Sequence, residues 1–157
     1  MIRLQQFISL ILYISSVFSM DSYWKICDNY EPKSKIHFIN ITGCDNNECN
    51  FHGHQQISIY SEFTALKKCR HLTVSFTAIA FYRRYDIPGY DTNGCHSLFP
   101  KCPLFIKKTY DYKTKIEIPF IPIPVTIKIR VEAKDGTYYM IFCFVFNGSI
   151  NLRHEKD

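Results

Sequence analysis

From Val125 to Lys134 apolar and polar residues alternate. Val125, Ile127, Ile129, Val131 and Ala133 fall on one side, and Thr126, Lys128, Arg130, Glu132 and Lys134 on the other. Successive side chains of a strand point to opposite faces, so this run predicts a strand with one buried and one wet face. Asp135-Gly136 follows, a dipeptide suited to the left-handed backbone of a tight hairpin. Beyond it Tyr138, Met140, Phe142, Phe144 and Phe146 alternate with Tyr139, Ile141, Cys143 and Val145. Both sides of that strand are apolar, which predicts a central, covered position.

The same period recurs upstream. Leu72, Val74, Phe76, Ala78, Ala80 and Tyr82 share a face of a third strand, and Ile57, Ile59 and Phe63 mark a fourth. Ile36, Phe38 and Ile41 mark a fifth, with a slip in phase that predicts a bulge. Trp24 to Cys27 and Thr109 to Ile118 supply two more, while Ala65 to Arg70 has room for one helical turn. About seven short antiparallel strands in a single small domain predict an all-β, two-sheet sandwich.

One stretch breaks the pattern. In Ile118 to Pro124, prolines at 119, 122 and 124 alternate with Ile and Phe. Proline cannot donate to a sheet ladder, so the backbone here must leave the sheets. A solvent loop would be polar, yet these side chains are apolar. The segment either caps the core or forms an apolar mouth to a cavity.

Composition then narrows the class. The 157 residues are 46% hydrophobic and 21% charged, with a net charge of +5. That is enough apolar content for one folded domain and too much for a disordered chain. Thirteen Phe and eleven Tyr are more rings than a core of this size requires. Residues 1–19 read as a secretory signal peptide, with Arg3, an apolar run from Phe7 to Ile14, and small residues Val17 and Ser19 at the cleavage site. A domain over residues 20–150 and a polar tail over 151–157 follow. Secretion agrees with two glycan acceptors, Asn40-Ile41-Thr42 and Asn147-Gly148-Ser149. The expected location is extracellular, or the lumen of an endolysosomal compartment.

Seven cysteines stand at 27, 44, 49, 69, 95, 102 and 143. With one left free, on the order of 100 connectivities are open. Short, turn-rich inserts favour Cys44 with Cys49 and Cys95 with Cys102. Cys27 and Cys143 would then join the first strand to the last, leaving Cys69. Their order, with Cys27-Asp28, Gly43-Cys44, Ile87 to His96, Lys101 to Leu104, Tyr110-Asp111-Tyr112 and Asp135-Gly136, resembles the ML lipid-recognition family. The likeness is to its Niemann-Pick type C sterol carriers and group 2 mite allergens, and spans residues 23–146. The resemblance implies an immunoglobulin-like sandwich, the three pairs just named, and an apolar cavity between the sheets. It also implies lining residues. Tyr85 lies two residues before Ile87-Pro88, Ile118 precedes the proline segment, and Phe120, Ile121 or Ile123 lies within it. From pattern alone Phe63, Val74 and Phe76 point inward, where ordinary core is the competing reading.

Catalytic chemistry has no candidate. There is no nucleophile elbow, zinc-protease helix motif or phosphate-cradling glycine loop. His52-Gly53-His54 lacks partner ligands at zinc spacing and reads as a surface turn. Neither cofactor nor metal is expected. The partners expected are a sterol, fatty acid or phospholipid, a membrane surface met transiently, and a receptor or acceptor transporter. Lys67-Lys68 with Arg70, Arg83-Arg84, Lys107-Lys108, and Lys113 with Lys115 read singly as solvated loops; together they suit anionic headgroups. A secretory signal argues against nucleic acid. The expected state is a monomer, with a dimer through Cys69 as the alternative. Two readings compete with lipid carriage: a subunit that presents a lipid to an innate-immune-type receptor, or an allergen-like secreted protein; and a filled adhesion or structural sandwich.

Overall fold

A computed structural model describes residues 22–28, 31–45 and 48–152. The signal-peptide reading and most of the polar tail lie outside them. Among the described residues eleven strands form two sheets. The strands are β1 (Trp24–Ile26), β2 (Ser34–Ile41), β3 (Cys44–Asp45), β4 (Glu48–His52), β5 (Gln56–Ala65), β6 (Leu72–Ala80), β7 (Arg83–Asp86), β8 (Leu98–Phe99), β9 (Thr109–Glu117), β10 (Val125–Asp135) and β11 (Met140–Asn151). The larger sheet runs β3-β4-β11-β10-β6-β7, with β1 also paired to β11; the smaller runs β2-β5-β9-β8. The architecture is the expected two-sheet sandwich, with β11 central and apolar on both faces.

Rows of side chains across the larger sheet explain its inner face. The register sets Val74, Ala133 and Phe142 in one row, Phe76, Val131 and Phe144 in the next, and Ala78, Ile129 and Phe146 in a third. Each large ring on β11 lies opposite a smaller residue of β10, so large and small side chains alternate across each row. From the smaller sheet, β5 and β9 contribute Ile57, Ile59, Phe63, Tyr110, Tyr112 and Ile116, all buried. Rings then meet across the gap: Phe63 lies 5.0 Å from Phe142, and Tyr112 lies 5.7 Å from Phe142. Offset and edge contacts of this kind add about 0.5–1.5 kcal/mol each beyond area burial. Much of the aromatic surplus therefore packs against itself in the centre of the sandwich.

Several local expectations shift. Four short strands, β3, β4, β7 and β8, escape a period-two reading because they offer at most five residues each. The bulge in β2 is present, between Ile36 and Phe38. It turns Phe38 outward, 48% exposed and against Tyr60, and gives the inward positions to Ile39 and Ile41. No helical turn forms at 65–70. That backbone instead bonds to the segment before β9, with Cys69 and Leu104 exchanging N–H···O bonds of 3.2 and 2.7 Å. The β10–β11 hairpin is longer than a two-residue turn, with Tyr138 left-handed at its tip (φ 65°). Asp135 organises it, its carboxylate accepting from the N–H groups of Thr137 and Tyr139 at 2.8 and 2.9 Å. Strand β6 stops at Ala80, so Tyr82 lies outside it and is fully exposed.

Three disulfides are present, Cys27–Cys143, Cys44–Cys49 and Cys95–Cys102. Cys69 is unpaired and 3% exposed, its thiol donating to the His71 carbonyl at 3.0 Å. An intermolecular bridge would have to draw this sulfur out of the core. Both glycan acceptors, Asn40 and Asn147, are exposed.

Candidate functional site

Toward one end of the sandwich the inner residues of β6 shrink from Phe76 to Ala78 to Ala80. The volume those alanines leave is not refilled from the facing side. There the chain leaves β9 after Glu117 and crosses to the other sheet through the proline segment, where β10 begins at Val125. The result is a pocket of about 370 Å³ at the open end. Its floor is Ala78, Ala80 and Ile127. Tyr85, Asp86 and Phe81 form one wall, and residues 119–122 the other. Asp86 is the single carboxylate among the lining residues. Such a site suits an apolar ligand and offers little to hold an ionic one.

The proline wall is braced by the turn between β4 and β5. The His54 N–H donates to the Ile118 carbonyl and the Ile118 N–H to the Gln55 carbonyl, both at 2.9 Å. These bonds close the ladder one residue past β9, just before Pro119 ends it. Gly53 then lies directly on Phe120. A Cβ there would stand 2.9 Å from the Phe120 ring and 3.2 Å from its Cα, so only glycine allows the approach. The His54 ring stacks on Phe120 with centroids 5.5 Å apart and planes 7° from parallel. Its Nδ1 lies 2.8 Å from Glu117 Oε1. Of the histidine pair singled out in the sequence, His54 braces the wall, while His52 bonds to Gln55 and to the Asn151 carbonyl. Among the described residues no group of three or more His, Cys, Asp or Glu is placed to hold a metal.

The opposite lip is the β6–β7 hairpin. Ala80 pairs with Arg83, leaving Phe81 and Tyr82 as the whole turn. Both are left-handed, at φ 49° and 61°. This is the backbone of a tight primed turn, which Asn-Gly fills at little cost and two aromatics do not. Arg83 and Arg84 follow, both exposed.

Of the residues named from the resemblance, Tyr85, Phe120 and Ile121 line the pocket. Ile118 does not line it; it is fully buried beneath the wall. Ile123 lies past the pocket, 51% exposed. Phe63, Val74 and Phe76 sit in the packed centre, as the competing reading held. Phe81, Ala78, Ala80, Pro119, Pro122 and Ile127 complete the lining. The step down in size along β6 signals Ala78 and Ala80, and the apolar proline segment signals Pro119 and Pro122.

Comparison with known proteins agrees with this architecture. The model of the ML domain matches residues 21–150. The mite group 2 allergen Pso o 2 of Psoroptes ovis is 28% identical over 119 residues, covering 75% of this chain and 80% of the allergen. Lep d 2 of Lepidoglyphus destructor is 23% identical, over 94% and 99% of the two chains. Among solved structures, a Niemann-Pick type C2 protein from the Japanese carpenter ant superposes with a TM-score of 0.69 at 19% identity. It covers 82% of this chain and 98% of that one.

Proposed function

Because the chain belongs to the ML-domain family, we propose that it is a secreted, non-catalytic lipid carrier that seats a sterol or acyl chain in the pocket at the open end of the sandwich. One observation carries the reading: an apolar space of about 370 Å³, walled by rings and prolines, between the β6–β7–β10 face of the larger sheet and the proline segment. A filled adhesion module would close that end with side chains. A ligand entering there gains about 0.8 kcal/mol per buried methylene-sized group. The polar head stays at the mouth, near Asp86 and the Tyr85 hydroxyl. A lipid can then leave a bilayer without crossing water bare. Three disulfides fit an oxidising compartment outside the cytosol.

Native mass spectrometry of protein purified from a secreting host tests the proposal. A co-purifying lipid released by organic solvent supports it. Protein that arrives lipid-free and takes up neither fluorescent sterol nor fluorescent fatty acid overturns it.

A further inference from the structure

The β6–β7 turn poses a question that the pocket does not answer. Phe81 contributes to the wall, but Tyr82 does not, and it is the most exposed large apolar residue of the described chain at 105%. It is held there by a left-handed backbone that a tyrosine adopts at a cost. Among the described residues nothing packs on its ring. Around it stand further exposed apolar groups on the same end of the sandwich: Phe81 at 58%, Phe120 at 60% and Ile123 at 51%. Arg83 and Arg84 directly flank the tip. Among the described residues, Asp86 lies within the pocket lining and Glu117 is engaged by His54.

We propose that the Phe81-Tyr82 turn is a membrane anchor, which inserts at the headgroup level of an anionic bilayer and sets the pocket mouth against the lipid. Tyrosine is suited to that depth, with an apolar ring and a hydroxyl that stays wet. Arg83 and Arg84 meet the anionic headgroups, which supplies charge complementarity on a chain of net charge +5. A two-residue turn is the narrowest tip that a pair of strands can present. Phe120 and Ile123 would touch the same surface from the facing lip. The proposal rests on reading the pocket as a lipid site, but it concerns a different step, the approach of the mouth to the membrane.

The test uses Tyr82→Gly, since glycine relieves the left-handed backbone and Tyr82 takes no part in the pocket. A second variant carries Arg83→Gln with Arg84→Gln. Partition is measured onto vesicles of phosphatidylcholine with phosphatidylserine, and onto phosphatidylcholine alone. Folding is checked by denaturation, and binding of a fluorescent fatty acid is measured in solution. Tyr82→Gly should fold at least as well as the parent and bind the fatty acid equally. It should partition at least about threefold more weakly and collect lipid from vesicles more slowly. The arginine variant should lose roughly fivefold per charge on anionic vesicles only. Parent-like partition of both variants overturns the proposal. So does loss of partition on replacing Lys67, Lys68, Lys107 and Lys108 by Gln, which would place docking at the other end of the sandwich. Tip-dependent partition in a protein that binds no lipid in solution supports the anchor and defeats the pocket reading instead.

Discussion

Tyr85 and Ile118 were implied as a pair, and the structure separates them into two different jobs. Tyr85 is 47% exposed and faces the pocket. An aromatic side chain buries on the order of 200 Å² in full, so a ligand could cover roughly 100 Å² of this ring. At about 25 cal/mol/Å² that contact is worth up to about 2.5 kcal/mol, or roughly seventyfold in affinity. Tyr85→Ala should therefore weaken binding of a fluorescent fatty acid by tenfold or more, while edge strand β7 keeps the fold within about 1 kcal/mol of the parent. Ile118 is fully buried. Ile118→Ala removes core volume and should cost about 2–5 kcal/mol in urea denaturation. Its folded fraction should bind with near-parental affinity. Both quantities are read on each variant at equal folded concentration. If Tyr85→Ala binds like the parent, or Ile118→Ala binds poorly while folding normally, the placement of ligand against the β7 wall is wrong.

Other consequences are open to measurement. Burial alone would raise the pKa of Asp135, but the Lys67 ammonium, the Thr137 hydroxyl and the N–H groups of Thr137 and Tyr139 overcome this and hold it at about 2. A lowered folded-state pKa gives stability that is complete above about pH 4 and lost as pH falls through 2. Denaturation of the parent should thus show a gap of about 2 kcal/mol over Asp135→Asn at neutral pH, closing toward pH 2; a gap constant with pH contradicts this. Burial also pushes the Cys69 thiol up, with Asp135 adding to the rise. A thiol reagent should leave it unmodified in native protein at pH 8 and label it once urea unfolds the chain; rapid native labelling would disagree. Gly53→Ala drives a methyl into Phe120 and should displace the proline wall, seen as altered fatty-acid affinity together with lost protection of the Ile118 amide in hydrogen exchange. The Cys27–Cys143 bridge spans 116 residues of sequence. Replacing both cysteines by alanine should cost roughly 4–5 kcal/mol in the chain-entropy model, and a loss below about 1 kcal/mol contradicts that role.

Much of the layout was legible because its causes are local. Strict alternation in β10 reads out directly as one buried and one wet face. The phase slip between Phe38 and Ile41 announced a bulge, but neither its place, between Ile36 and Phe38, nor the residue it turns outward, since both depend on the partner strand. The site was less legible, for two physical reasons. A primed turn normally announces itself through Asn or Gly, and Phe81-Tyr82 carries neither, so a period-two reading overshoots the strand end by two residues, to Tyr82. The proline segment reads as one apolar unit, yet Ile118 still bonds to the β4–β5 turn and belongs to the core. The chain leaves the sheet only at Pro119. Pattern placed Phe63, Val74 and Phe76 inward correctly, but inward is not the same as hollow. Which inward residues fill space and which leave it open depends on side chains arriving from the other sheet.

The covalent cross-links follow the layers of the sandwich. Cys27–Cys143 and Cys44–Cys49 each join neighbouring strands or strand ends of the larger sheet, and Cys95–Cys102 closes a local loop. Between the layers, Ser34 Oγ donates to the Ile141 carbonyl and the Tyr23 hydroxyl to the Ile39 carbonyl, both at 2.8 Å. Both contacts fasten β2 to the larger sheet. The molecule is bound like a book, with a hydrogen-bonded spine along β2, while at the mouth the chain itself passes between the covers twice, through the β4–β5 turn and through the proline segment. A wider opening there has to move the proline segment, and with it the pair of bonds that tie Ile118 to His54 and Gln55.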